Sequence, residues 1–204
     1  ADETAVAAGE ERVSIGADLS EGQRLQIYAD FGIEPGSVRE LRVTNGEERS
    51  YLQGLVPEGK IGNVALSCLY IKTLEPGAGL TISSLKNINW CTEATYTAAL
   101  LTAGITDAEI RISAPFAVSG TAALTSAYKV YEDITGTSLN MAAKEASVLE
   151  LVVTGNLAEL LGDLDATTLV NELKGLLDVT QDMTDDQLRE EILNIAKAMD
   201  IALT

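Results

Sequence analysis

Two stretches of this chain carry the same punctuation at a constant offset of 72 residues. Ser20-Glu21 opens an apolar-periodic run that stops at Gly32-Ile33 before a β-like segment. Thr92-Glu93 opens another that stops at Gly104-Ile105 before a second β-like segment. A hydroxyl side chain satisfies the orphan amides of a helix start, and glycine accepts the left-handed turn that ends one. Each helix is also preceded by a strand-like segment, so the echo reads as two β-α-β units. The expected fold is α+β: a mixed β-sheet with helices on one face, in duplicated β-α-β units, followed by a helical C-terminal portion.

In detail, Arg12–Gly16 reads as the first strand. Ser20 and Gln23 form a capping box for a helix with Leu25, Ile27, Tyr28 and Phe31 on its apolar face. A strand is expected at Val38–Val43 and a short acidic helix from Asn45 to about Leu52. Two β-like runs, Ile61–Leu74 and Leu80–Trp90, flank Glu75-Pro76-Gly77-Ala78-Gly79, whose turn chemistry joins them as a hairpin. A helix from the Thr92 cap to about Ala103 and an alternating strand, Ala108–Ala114, complete a sheet domain over 11–118. After Pro115 the periodicity is helical only, over 119–134, 139–162, 165–177 and 185–200, with a break expected at Gly155-Asn156. Residues 1–10 read as a disordered lead-in, and 119–204 as a helical portion packed on the sheet.

What the chain lacks bounds its chemistry. It has no histidine, which excludes Ser-His-Asp and Cys-His catalysis and imidazole-ligated zinc. Its net charge of -17 repels phosphate backbones, and both halves are acidic, so nucleic acid is not an expected partner. Hydrophobic residues make up 46%, enough for a buried core, but no run approaches the ~18 apolar residues of a membrane span. The small, acidic start Ala1-Asp2-Glu3-Thr4-Ala5 resembles a mature chain freed of a signal peptide, so an exported protein is expected. Cys68 and Cys91 allow either one disulfide, contributing roughly 3 kcal/mol, or two buried reduced thiols.

Five motifs invite chemistry. Gly54 to Lys60 has the spacing of a phosphate loop, but Ile61 stands where a magnesium-binding hydroxyl belongs, and Pro57 removes an amide, so a plain turn is expected. Ser126-Ala127-Tyr128-Lys129 has the S-x-x-K spacing of a lysine-activated serine nucleophile, without its companion motifs. Asp178, Asp182 and Asp186 alternate as in a calcium loop, yet Met183 and Arg189 replace the required Gly and Glu; a helix-helix loop is expected, with weak calcium binding as the alternative. Ser119-Gly120-Thr121 opens a helix whose free amides and two hydroxyls suit a carboxylate or phosphate; otherwise Ser119 is an ordinary N-cap. Asn89 and Trp90, the only tryptophan, stand at a strand end where an indole either faces a ligand or anchors the core.

Three segments of the chain resemble signatures of one family. Thr44-Asn45-Gly46-Glu47-Glu48-Arg49-Ser50-Tyr51-Leu52 is similar to V-T-N-x-x-E-R-x-Y-L when read from Val43. Asn87-Ile88-Asn89-Trp90 with the Thr95–Ile105 segment resembles a second signature, and Ala114-Pro115-Phe116 through Leu124 a third. In that order they resemble the YpuA-like family of Gram-positive bacteria, domain of unknown function 1002. The resemblance implies export and carries no catalytic residues. The functional expectation is a non-catalytic binding or structural module of the cell envelope, without cofactor, whose partner is an envelope component or another protein. The alternatives are a cell-wall hydrolase or transferase using Ser126 with Lys129 (or the hydroxyls of Ser119 and Thr121), and a small anion-binding module at Ser119-Gly120-Thr121.

Overall fold

The computed structural model describes residues 6–161 together with 186 and 187. In chain order the elements are β1 (Glu11–Gly16), α1 (Glu21–Phe31), β2 (Arg39–Val43), α2 (Asn45–Leu52), α3 (Glu58–Ile61), β3 (Cys68–Thr73), β4 (Leu80–Ile88), α4 (Glu93–Thr102), β5 (Ala108–Val118), α5 (Thr121–Thr135) and α6 (Met141–Leu161). The strands form one mixed sheet in the order β2-β1-β3-β5-β4. Both expected β-α-β units are present: β1 runs parallel to β2, and β4 parallel to β5. β3 joins them, antiparallel to β1 and to β5.

The helix starts follow from their caps. Ser20, Thr44 and Thr92 each accept from the amide three residues on, and each has its reciprocal capping-box bond. Gly32 closes α1 in the left-handed conformation.

Strand alternation sends side chains to two cores. Val13, Ile15, Cys68 and Tyr70 pack with Ile27, Tyr28 and Phe31 of α1 on one face. Leu69, Ile71, Ile82, Ile110 and Ile112 pack with Tyr96, Ala99 and Leu100 of α4, Ala123, Leu124 and Tyr128 of α5, and Val148 and Leu151 of α6 on the other. The helices therefore gather on one face except for α1, which covers the reverse. The central strands β1 and β3 are consequently buried on both sides. The 72-residue echo repeats caps, stops and strand sense, but not the face on which the helix lies.

Four local expectations change. The segment Glu75–Gly79 is not a hairpin turn, because β5 lies between β3 and β4. The Asp107 carboxylate accepts from the amides of Gly77 and Gly79 at 3.0 and 2.9 Å, and Leu74 N donates to Asp107 O, so the loop wraps the start of β5. The β-like run from Ile61 shortens to Cys68–Thr73, since Ile61 ends α3 and the chain then passes close beside Gly16, where a Cβ would strike the Ala65 carbonyl. β5 continues through Pro115 to Val118. Proline is accepted there because the ladder with β3 ends at the Cys68–Ser113 pair, so no donor toward β3 is required. In the helical portion, α6 continues through Gly155-Asn156 to Leu161 instead of breaking. The expected helices at 165–177 and 185–200 lie outside the described residues, apart from Asp186 and Gln187, which are helical.

Polar groups tie α5 and α6 to the sheet layer. Ser14 donates to Ser126 at 2.9 Å, and Tyr128 donates to Ser147, which donates to the Ala99 carbonyl, both at 2.7 Å. Lys144, 3% exposed, pairs with Glu132 and lies 4.9 Å from the Tyr51 ring centroid and 5.9 Å from that of Tyr128. No helix among the described residues is long and apolar enough to cross a membrane.

Candidate functional site

Where β5 outruns β3, the sheet opens. The opening is walled by α3 and the 62–67 segment on one side, and by the end of β5 and the first turn of α5 on the other. It holds a cleft of about 350 Å³ whose polar side chains are Glu48, Lys60, Ser67, Asn89, Ser119 and Thr121. Backbone bonds fix the second wall, with Asn89 N donating to Val118 O at 2.8 Å and Cys91 N to Ser119 O at 3.1 Å. Gly120 begins α5 at φ +95°, with Tyr96 and Ile88 against its α-carbon and the Tyr96 hydroxyl donating to its carbonyl. The N-cap is thus Gly120, with no side-chain cap, and not Ser119. The Ser119 hydroxyl instead donates to the Lys60 carbonyl.

Glu48 forms the floor. It is 1% exposed, accepts from the Thr121 hydroxyl at 2.5 Å, and accepts from Asn45 Nδ2 at 3.3 Å. Burial raises its pKa above the usual carboxylate value; the bonds from Thr121 and Asn45 and the nearby Arg49 charge oppose the rise without cancelling it. Arg49, its chain neighbour, turns to Asn45 Oδ1, Glu58 and the Gly62 carbonyl. The Ala123 amide, in the first turn of α5, donates to Ser67 at 2.8 Å. A larger recess of about 740 Å³ lies beside the 75–79 loop, but its one carboxylate, Asp107, is engaged in holding that loop.

A family profile described as "Protein of unknown function (DUF1002)" matches residues 15–204. The chain belongs to the DUF1002 family. It is 36% identical over 168 residues to the uncharacterized protein YpuA of Bacillus subtilis (strain 168), a match covering 82% of this chain and 57% of the relative. The chain thus spans little more than half the length of that curated relative. No solved structure matches it.

In this DUF1002 chain, the three segments that carry the family resemblance meet at the cleft. Glu48, bonded by Asn45, comes from the first, Asn89 from the second, and Ser119, Gly120 and Thr121 from the third. Trp90 lies just behind, 7% exposed, with the Lys60 ammonium 5.3 Å from its ring centroid.

The other candidates are placed elsewhere. Ser126 is fully buried against Ser14, whereas Lys129 reaches outward to Glu47 at 2.7 Å and the Arg42 carbonyl at 2.5 Å. The two are not bonded, and the serine has no face toward a substrate. The phosphate-loop spacing spans a turn and the four-residue α3, with Pro57 at its N-cap, so no helix start cradles a phosphate there. Asp178 and Asp182 lie outside the described residues, and Asp186 is exposed. No group of three or more His, Cys, Asp or Glu among the described residues is placed to hold a metal. Cys68 and Cys91 are unpaired and buried, and burial pushes each thiol up to about 12.

Reading the sequence for sites overlooks Glu48 and Ser67, and meets Lys60 only at the end of the phosphate-loop spacing. Glu48 leaves one trace: it stands four residues before the buried Leu52, on the inward side of α2, where a carboxylate needs a partner.

Proposed function

We propose that this chain is a binding module that acts outside the cytoplasm, at the cell envelope, and that its ligand seats in the cleft between α3 and the start of α5. The convergence of the three resemblance-bearing segments on that cleft carries the reading. A purely architectural signature would be served by capping and core positions. Here it also delivers a buried carboxyl, an amide side chain and two hydroxyls to one concave surface, the usual composition of a small-molecule site. A binding role is favoured over group transfer by the position of Ser126 and by the inert, buried state of both thiols. An anion-binding role is disfavoured because Glu48 already places a carboxyl beside the first turn of α5.

The test is a thermal-shift panel on the purified chain with muropeptides, teichoic-acid fragments, phosphate and calcium. A ligand of the folded state raises the melting temperature by mass action. A saturable shift from an envelope component, reduced in Ser119→Ala, is expected; a flat panel would reject the reading. Turnover of any panel member, abolished by a point substitution, would reject the non-catalytic part. Fractionation of cells that produce the protein naturally tests the location.

A further inference from the structure

We propose that the cleft receives a protonated primary amine, with the Glu48 carboxylate as its counter-charge. This rests on the binding-module reading above and names the class of its ligand.

The first argument is the state of Glu48. A carboxylate that is 1% exposed is normally ion-paired, yet both groups bonded to Glu48 are neutral: the Thr121 hydroxyl and the Asn45 amide. The nearby cations are directed elsewhere. Arg49 bonds to Glu58 and the Gly62 carbonyl, and Lys60 lies over the Trp90 ring. Arg49 makes no bond to Glu48, yet its charge favours the ionised carboxyl, while the smaller influence of Asp18 acts in the same direction as burial. A cation in the cleft would relieve both effects.

The second argument is the balance of donors and acceptors. Serine and threonine hydroxyls have one hydrogen each. That of Ser119 goes to the Lys60 carbonyl and that of Thr121 to Glu48, while the Ser67 oxygen accepts from Ala123. Lone pairs are left on Glu48, Ser119 and Thr121. A ligand that supplies hydrogens fits this wall, and an ammonium supplies three. At Glu48, Ser119 and Thr121 a phosphate or carboxylate would set lone pairs against lone pairs and charge against Glu48, leaving the first amides of α5, Asn89 and Lys60 to receive it.

Size and field agree. A cleft of about 350 Å³ takes an aminoalkyl or amino-sugar group at the low end of ligand-pocket volumes. A net charge of -17 draws cations toward the molecule. Because burial disfavours the ionised carboxyl that an ammonium requires, affinity should rise with pH through the titration of Glu48.

The experiment is an amide chemical-shift titration of the full chain with n-butylammonium, and with n-butanol as the uncharged match. Glucosamine against N-acetylglucosamine, and Nα-acetyl-lysine amide against its Nε-acetylated form, separate sugar from peptide sources of the amine. Saturable shifts at residues 48, 67 and 119–123 are expected with the amines only. Affinity should fall at least tenfold in Glu48→Gln and stay unchanged in Glu34→Gln, which removes an exposed charge outside the cleft. Should Glu48→Gln not fold, the wild-type pH dependence decides, with binding tighter at pH 7 than at pH 5 expected. Equal response to n-butanol, persistence in a folded Glu48→Gln, or tightening toward low pH would overturn the proposal. Saturation of the same amides by a neutral sugar or by inorganic phosphate alone would overturn the amine assignment and leave the binding module standing. No response to any of these probes or to the envelope panel would end both.

Discussion

Replacing Gly120 by alanine tests the construction of the cleft at its tightest point. Gly120 holds φ +95°, which costs an L-residue roughly 1–2 kcal/mol. Its missing Cβ would also lie against the Tyr96 hydroxyl and 2.6 Å from Ile88 Cγ2. Neither neighbour yields freely. Tyr96 is fully buried with its hydroxyl bonded to the Gly120 carbonyl, and Ile88 sits opposite Val118 in the sheet. Forcing a methyl into such a site costs about 1–3 kcal/mol more. The sum is a loss of about 2–5 kcal/mol, or roughly 4–20 °C in melting temperature for a chain of this length. Gly54 is the control: φ is +86° but nothing lies within 4 Å of the new Cβ, so Gly54→Ala should cost only the conformational part. Urea unfolding followed by circular dichroism measures both. Tyr96→Phe removes the colliding oxygen together with its hydrogen bond, so Gly120→Ala should cost less in that background than alone. If Gly120→Ala costs no more than Gly54→Ala, or if the Tyr96→Phe background leaves its cost unchanged, the crowding argument is wrong.

Glu48 gives a pH-dependent expectation. Its pKa is raised in the folded state, so its contribution to stability is fully present below about 4.5 and is lost as pH rises through the folded value; Glu48→Gln should flatten that decline in urea midpoints measured from pH 4 to 8. Cys68 and Cys91 should be silent to a thiol reagent at pH 8 in the native chain and give two equivalents in denaturant; native labelling of either would contradict their burial. Lys144→Ala should cost about 3–5 kcal/mol by stranding Glu132, and Lys144→Met with Glu132→Gln should recover most of it, a difference read from the same urea curves.

Much of the fold is local and therefore legible. Ser20 with Gln23, Thr44 with Glu47 and Thr92 with Thr95 start helices through bonds spanning three residues, and the spacing of side chains displays them. What escaped is non-local. The glycine-rich 75–79 loop has the same composition whether it turns a hairpin or wraps a neighbour, and only Asp107, about thirty residues on, decides between them. Nothing in the Ile27-Tyr28-Phe31 stripe says which face of the sheet it will cover. The cleft was half legible: Ser119, Gly120, Thr121 and Asn89 stand out as a strand end and a helix start. Glu48 joins them across 73 residues of chain, and its polar label conceals an inward position. Ser126 errs the other way, since a hydroxyl next to a lysine suggests chemistry where it only bonds Ser14 inside the core.

The position of β5 governs the order in which the molecule can be assembled. The strand that bonds to both β3 and β4 is the last of the five to leave the ribosome. A nascent chain that ends before Ala108 therefore has β3 exposed along one edge and β4 with no partner at all. Sheet closure must wait for contacts between residues far apart in sequence, which slows folding and delays commitment until most of the described chain is made. Unpaired strand edges are templates for pairing with other chains, and in this fold it is the arrival of β5 that covers them.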